Sequence, residues 1–213
     1  MGNRTHFYIQ SRLSGYAKHY AREFIYYIAK KYKVKGRIEA RPVPHIGLYG
    51  EKETYTDNIE KVKQIVEAIG NRYRLVPYTI SGFGKFDQKG KNKVLYLKID
   101  PSDELIKLQR DLYKGLKEIS NASKWDKKDP FPFHINIAFK DIDKKFDRIW
   151  DDVRRHSNKI QEHLFVITIL GTRNKIINEY DLILKEMLTR EEVFRREYHD
   201  KRWNEYHKLL GIN

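Results

Sequence analysis

The sequence contains no cysteine among its 213 residues. Without a thiol, the chain can form no disulfide, bind no metal through thiolates and use no cysteine nucleophile. It also lacks any run near the roughly 18 consecutive apolar residues that a membrane-spanning helix needs. The first residues have no apolar stretch typical of a secretory signal, and position 6, where a myristoylation signal requires Ser or Thr, is His6. We therefore expect a cytoplasmic protein that does not enter a membrane.

Acidic residues are few compared with basic ones. Asp and Glu number 29 against 43 Lys and Arg, which gives a formal net charge of +14 at pH 7. An excess of this size favours a polyanionic partner, most often a nucleic acid. The alternative is a lysine-rich surface that contacts only water, as in many thermophile proteins. Charge alone leaves both interpretations open.

Hydrophobic periodicity predicts alternating strands and helices. The predicted strands cover residues 5–12, 41–50, 74–86, 93–99, 162–170 and 177–184, with one more at His134, and the predicted helices cover about 15–32, 57–70, 103–119, 144–157 and 190–210. Asp57 with Glu60 suits a capping box at the start of the second helix. No linker separates independent domains, so residues 1–213 are expected to form one unit, with a core over about 5–186 and a helical extension over 187–213.

An internal repeat relates the two halves of this unit. His45 and His134 are 89 residues apart, and the same offset aligns five further identical pairs: Ile46 with Ile135, Leu75 with Leu164, Thr79 with Thr168, Ile80 with Ile169, and Gly82 with Gly171. A repeat this long indicates two equivalent lobes rather than a solenoid. We therefore predict a duplicated, two-lobed α+β fold. Its antiparallel sheets face each other across a central cleft, its helices lie outside, and an extra helix follows at the C-terminus.

The two histidines are the main candidates for chemistry. In "HINI" at 134–137, alternation puts His134 and Asn136 on one face of a strand and the two isoleucines on the other. A histidine here can be a core residue, a metal ligand or an acid–base catalyst, and its recurrence in the other lobe favours a functional role. Two imidazoles leave zinc short of a ligand, and neither strand offers an Asp, Glu or Cys on the same face. The sequence also has no HExxH, EF-hand or Walker motif. We therefore expect metal-free acid–base chemistry, in which one imidazole is neutral and the other charged.

Several stretches resemble the 2H phosphoesterase superfamily, and within it the RNA 2′,3′-cyclic phosphodiesterases, also named 2′-5′ RNA ligases. "HIGL" at 45–48 and "HINI" at 134–137 stand at the two motif positions, and "YTISGFGKF" followed by "KVLYLKI" is similar to the segment after the first motif helix. The resemblance implies hydrolysis of a terminal 2′,3′-cyclic phosphate to a 2′-phosphate, or reversible 2′-5′ joining of RNA ends. It implies His45 as proton donor, His134 as proton acceptor, RNA as partner, and no metal or nucleotide cofactor.

The sequence departs from the family pattern at both hydroxyl positions. Gly47 and Asn136 replace the expected Ser or Thr. The side chain of Asn136 can still donate a hydrogen bond to a phosphoryl oxygen, whereas Gly47 offers only its backbone. Lys85 and Arg173, near equivalent turns, are candidates for neutralising phosphate, as is Arg41. Loss of both hydroxyls also supports an alternative function, a non-catalytic RNA-binding module that retains the cleft. The sequence leaves the oligomeric state open.

Overall fold

The computed structural model describes residues 3–35, 42–87, 93–121 and 124–211. The strands among them are β1 Arg4–Arg12, β2 His45–Tyr55, β3 Val76–Phe86, β4 Val94–Pro101, β5 His134–Ala138, β6 Lys159–Leu164, β7 Val166–Leu170, β8 Ile176–Asp181 and β9 Glu186–Thr189. The α-helices are α1 Gly15–Tyr32, α2 Asn58–Gly70, α3 Asp103–Leu116, α4 Phe146–Val153 and α5 Arg196–Leu210. No helix in this part of the chain is long and apolar enough to span a bilayer.

The strands form two antiparallel sheets, one for each lobe. Sheet A has the order β2-β1-β7-β8-β9, and sheet B has the order β5-β4-β3-β6. The strand that begins at His45 lies at one edge of sheet A, and the strand that begins at His134 lies at one edge of sheet B. These two edge strands contact each other. The predicted two-lobed α+β architecture is confirmed.

The repeat is longer than the sequence identities indicate. The order strand, helix, histidine strand, helix, strand occurs as β1-α1-β2-α2-β3 and again as β4-α3-β5-α4-β7, with β6 inserted before β7 in the second half. Corresponding elements begin 88 to 90 residues apart: Arg4 and Val94, Gly15 and Asp103, His45 and His134, Asn58 and Phe146, Val76 and Val166. Each half keeps its first two strands in its own sheet. Its third strand joins the other sheet, because β3 pairs with β4 and β7 pairs with β1.

Apolar residues from both lobes form one continuous core. The helix α1 contributes Tyr20, Phe24 and Ile28, one turn apart on its buried face, whereas Tyr16 at the head of this stripe is exposed. The ring of Phe24 packs edge-on against Phe83 of β3, with centroids 4.7 Å apart. Because α1 precedes the histidine strand of sheet A and β3 belongs to sheet B, this contact holds the two lobes together.

Two local predictions differ from the structure. The predicted strand 162–170 is two strands in different sheets, β6 in sheet B and β7 in sheet A, with Phe165 between them. Continuous apolar character concealed the break, because every residue of β7 is buried and no turn residue marks the crossing. Asp57 makes no side-chain capping hydrogen bond and has helical backbone angles, so the capping box is absent. The predicted turn at 87–93 lies largely outside the described residues.

The C-terminal extension is not wholly helical. Its first residues belong to β9, which extends the edge of sheet A, and α5 begins only at Arg196. A buried ion pair fixes α5 to the sheet: Arg202 Nε donates to Asp181 Oδ2 at 2.5 Å, and the same guanidinium lies 3.6 Å from Glu179. Both carboxylates are fully buried. The ring of Trp203 on α5 packs edge-on against Phe165, with centroids 5.5 Å apart.

The Arg202→Met variant tests this attachment. Removing the cation leaves the Asp181 carboxylate buried without its ion-pair partner, so the free energy of unfolding should fall by about 3–5 kcal/mol, measured by urea denaturation. The control is Arg196→Met on the same helix, whose ion pair with Asp200 is 92% and 63% exposed, and which should change the unfolding free energy by less than about 1 kcal/mol. Equal losses in the two variants would contradict a structural role for Arg202.

Candidate active site

A cavity of about 200 Å³ opens between the two histidine strands. His45 and His134 both line it, so the structure brings the two repeated histidines into one site. The remaining lining residues come from β1, from β2 and from the connection that precedes β5: Tyr8, Ile9, Gln10, Gly47, Tyr49, Gly50, Trp125, Asp126, Phe131 and Pro132. None of the other six histidines lines this cavity.

The two imidazoles are held in the same way. Nδ1 of His45 lies 3.0 Å from the carbonyl oxygen of Val43, and Nδ1 of His134 lies 2.7 Å from the carbonyl oxygen of Pro132. Each carbonyl belongs to the residue two positions earlier in the chain. Because a carbonyl can only accept, each Nδ1 must donate its hydrogen. In the neutral ring Nε2 then carries the lone pair, so both rings are fixed in the tautomer that can exchange a proton through Nε2.

Aromatic side chains surround His134. Phe86 of β3 is perpendicular to the imidazole at 5.2 Å between centroids, and Tyr96 of β4 lies at 5.4 Å. Burial lowers the pKa of His134, and the hydrogen bond to the Pro132 carbonyl acts in the opposite direction. A lowered pKa means that the neutral ring persists to a lower pH. His134 is therefore suited to accept a proton at neutral pH.

The two positions that replace the family hydroxyls differ in their surroundings. Gly47 lines the cavity, and a Cβ built on it would meet nothing within 4 Å. Asn136 lies one alternation beyond His134 on the same face of β5, half-buried and opposite Tyr96 of β4. The open space at Gly47 shows that a side chain there is absent by sequence and not excluded by packing.

Each histidine has a basic residue directly opposite it on the neighbouring strand. Arg12 of β1 pairs with His45, and Lys98 of β4 pairs with His134. Directly opposite residues of an antiparallel pair point to the same face, with Cβ atoms about 4.5–5.5 Å apart. The guanidinium of Arg12 makes two hydrogen bonds of 2.7 Å to the buried Glu179, whereas Lys98 is exposed.

These two cations could not be predicted from the sequence, because strand pairing, and not the chain order, brings them to the histidines. The 89-residue offset does not align Arg12 with Lys98, since the β1–β2 pairing has register shifts between Phe7 and Gln10, and β4–β5 has one between Leu95 and Tyr96. A bulge of this kind changes which residues stand opposite each other. No signal in the sequence alone marks its position.

The cations expected from the sequence occupy different places. Lys85 lies in β3 on the face away from His134, where its Nζ lies over the ring of Trp150 at 5.3 Å and near Asp87 at 3.6 Å. The structure does not bring Lys85 into the cavity. Successive residues of a strand point to opposite faces, and its neighbour Phe86 is the one on the face toward His134. Arg173 is exposed in a turn after β7 and lies outside the cavity lining. Its neighbour Asn174 accepts a 2.8 Å hydrogen bond from Tyr8 of the lining, and Arg41 lies outside the described residues.

The connection before β5 supplies one wall of the cavity. Trp125 is 46% exposed, and its ring lies 6.2 Å from Phe86. The adjacent Asp126 is buried, and its Oδ1 accepts a 2.8 Å hydrogen bond from the backbone N–H of Gly50 in β2. The sequence indicated only a polar connection here. An isolated Trp–Asp pair among lysines is the signal that could have marked it as a wall.

The described residues contain no group of three His, Cys, Asp or Glu side chains arranged to hold a metal ion. The chemical groups that line the cavity include two imidazoles with fixed tautomers, the buried amide of Gln10, the buried carboxylate of Asp126, which accepts from the Gly50 N–H, and aromatic rings. Such a set can transfer protons and bind a phosphate ester with a flat base or sugar against the rings.

The chain belongs to the 2′-5′ RNA ligase superfamily. The family model matches residues 22–170, which is more than half of the chain and includes both histidine strands. The match ends with β7, so the strands β8 and β9 and the helix α5 lie beyond it. The resemblance of the two histidine motifs to this superfamily is thereby confirmed. No curated protein matches the sequence.

Solved structures show a similar fold. TT0787 of Thermus thermophilus has a TM-score of 0.57 and 14% identity, over 83% of this chain and 97% of that one. LigT of E. coli in its apo form has a TM-score of 0.47 and 17% identity, over 79% of this chain and 88% of LigT. Usb1 of Kluyveromyces marxianus with uridine monophosphate has a TM-score of 0.44 and 10% identity, over 79% and 93%. At these identities only the fold is shown, and TT0787 carries that conclusion.

The Phe86→Ala variant tests the origin of the lowered His134 pKa. Removing this ring admits water to the imidazole, so burial should disfavour the charged form less and the pKa of His134 should rise toward the ordinary histidine value of about 6.5. The pKa is measured from the imidazole Cε1–H resonance in an NMR titration. Phe194→Ala, which removes a distant side chain that is 62% exposed, is the control and should leave the titration unchanged. A pKa that stays fixed in Phe86→Ala would contradict burial as the cause.

Proposed function

We propose that this protein is a metal-independent phosphodiesterase that acts on RNA ends and hydrolyses a terminal 2′,3′-cyclic phosphate to a 2′-phosphate. Membership of the 2′-5′ RNA ligase superfamily supports a phosphoesterase that acts on RNA-like substrates. The proposal of cyclic phosphate hydrolysis rests on the pair of histidines in one cavity, each with Nδ1 bonded to the carbonyl two residues before it. With the 5′-hydroxyl of a second RNA in place of water, the same displacement at phosphorus joins RNA ends through a 2′-5′ linkage.

The two histidines take opposite roles in one displacement at phosphorus. Neutral His134 accepts a proton through Nε2 from a water molecule as the water oxygen forms its bond to phosphorus. His45, charged, donates a proton through Nε2 to the 3′ oxygen as the bond between phosphorus and that oxygen breaks. The products are a 3′-hydroxyl and a 2′-phosphate, and the two histidines have exchanged protonation states. The lowered pKa of His134 favours this assignment, because the acceptor must be neutral at the start.

The remaining groups bind the substrate on either side of the reacting phosphorus. Lys98, opposite His134 on β4, and Arg173, whose neighbour Asn174 bonds to Tyr8 of the lining, supply positive charge for the phosphates of the strand. The exposed face of Trp125 offers a surface on which a base can stack, a contact that tolerates any base. Asn136 can donate a hydrogen bond to a phosphoryl oxygen.

Alanine at either histidine tests the catalytic pair. His45→Ala and His134→Ala should each lower turnover of RNA that ends in 2′,3′-cyclic phosphate by about a hundredfold or more, the usual effect of losing a general acid or base. The double variant should be little worse than either single one, because both groups act in the same step. Product is identified by chromatography with chelator present throughout. Activity that chelator abolishes and zinc or manganese restores would contradict the mechanism, and RNA binding without hydrolysis by the wild type would indicate a binding module.

Salt dependence of RNA binding tests the cations at the site. The slope of log K against log salt is about −0.7 for each phosphate contacted in single-stranded RNA. Replacing Arg173 and Lys98 together by alanine should make the slope shallower by about one unit or slightly more, measured by fluorescence anisotropy with an inactive His45→Ala background. The matched control is Lys85→Ala, on the opposite face of sheet B, which should leave the slope unchanged. Identical slopes in all three proteins would remove Arg173 and Lys98 from the site and favour a lysine-rich surface without specific phosphate contacts.

A further inference from the structure

Four polar or open positions form a row across the cleft face of sheet A. Gly47 pairs with Gln10, Gln10 pairs with Thr168, and Thr168 pairs with Glu179. Directly paired residues share a face, and Gln10 and Gly47 both line the cavity. The row therefore leads from the buried Glu179 of β8 to Gly47 on the edge strand β2, with Gln10 beside the glycine that replaces the family hydroxyl.

The side chain of Gln10 is almost wholly buried. Only 4% of it is exposed, and its Oε1 has no hydrogen-bond partner among the described residues. Leaving a buried amide oxygen without a partner is unfavourable, so such a group calls for a specific explanation. A half-turn about χ3 exchanges Oε1 and Nε2, so the same side chain can present a donor or an acceptor at this point.

The neighbours of Gln10 in the row either hydrogen-bond to other residues or have no side chain. The Thr168 hydroxyl donates its hydrogen to Glu179 at 2.6 Å. Glu179 in turn accepts the two hydrogen bonds from Arg12. On the other side stands Gly47, which has no side chain and leaves open space. The cavity lies on the open side and Gln10 lines it, so a bound molecule can supply a partner for the amide.

We propose that Gln10 is a substrate-binding residue that supplies, from the neighbouring strand, the hydrogen-bond donor missing at Gly47. Its Nε2 donates to a non-bridging oxygen of the reacting phosphate. Asn136 is the counterpart of Gly47 in the other lobe and lies two residues after His134. Each histidine is therefore accompanied by a carboxamide instead of a hydroxyl: His134 by Asn136 on its own strand, and His45 by Gln10 on the neighbouring strand. This inference rests on the proposed function for the identity of the phosphate.

Rescue between positions 10 and 47 is the kinetic test. Gln10→Leu removes the donor at similar volume and should lower kcat/KM on RNA ending in 2′,3′-cyclic phosphate by about tenfold to a hundredfold, the usual loss for a hydrogen bond to a charged group. Adding Gly47→Ser restores a hydroxyl in the open space and should recover at least about tenfold of that loss. The matched control is Ser11→Ala. It removes another buried polar group without a partner, on the opposite face of β1, and should leave kcat/KM unchanged. Lack of rescue by Gly47→Ser, in a protein that melts as the wild type does, would overturn the proposal.

A binding measurement separates this inference from the proposed function. Adenosine 2′-monophosphate is titrated into the ¹⁵N-labelled wild type, and the side-chain NH₂ signals, assigned by their loss in Gln10→Leu, are followed together with the imidazole signals. We expect the Gln10 NH₂ and both imidazoles to shift and saturate together. Imidazole shifts without a Gln10 shift would overturn the role of Gln10 alone. Shifts at all three groups without hydrolysis of cyclic phosphate would overturn the proposed function and leave the Gln10 assignment standing. No shift at saturating nucleotide would overturn both.

Discussion

The exchange of the third strand between the two halves of the chain is the constraint on which the active site depends. Because β3 pairs with β4 and β7 pairs with β1, neither half can complete its sheet alone. The exchange leaves each histidine strand at a sheet edge, and the two edges meet. A pair of imidazoles related by pseudo-two-fold symmetry follows from this topology. The short hydrogen bond from each Nδ1 to the carbonyl two residues earlier then sets both rings in the same tautomer.

The two halves have similar backbones, but the side chains around the two histidines differ. In the proposed mechanism, this difference assigns the base role to His134 and the acid role to His45. His134 is enclosed by Phe86 and Tyr96, and its pKa is lowered by burial. His45 lies beside Arg12, whose charge is matched by Glu179, and Glu179 lies within reach of Arg202 on α5. The C-terminal helix thus closes a buried charge network that reaches the strand opposite His45. Strands β8 and β9 and α5 lie beyond the residues that the family model matches.

The sequence was informative where the signal is local or repeated. The bounds of α1 and the alternation at His134 follow from periodicity, and the two-lobed fold follows from the 89-residue repeat. Pairing between strands distant in sequence could not be predicted. The crossing at Phe165, the neighbours Arg12 and Lys98, and the row from Gly47 to Glu179 all depend on which strands are adjacent and on where bulges shift the register. Lys85 was placed at the site from its turn, but one step of strand alternation directs it to the opposite face.

The opposed roles of the two histidines are the central claim, and a substrate with sulfur in place of the bridging 3′ oxygen tests them most directly. A thiolate leaves without protonation, so the general acid is no longer needed while the base that activates water still is. Turnover of this substrate is compared in the wild type, His45→Ala and His134→Ala. The account predicts that His45→Ala recovers to within about tenfold of the wild type while His134→Ala stays at least about a hundredfold slower. If His45→Ala is not rescued by the sulfur substrate, the assignment of the acid–base pair is contradicted.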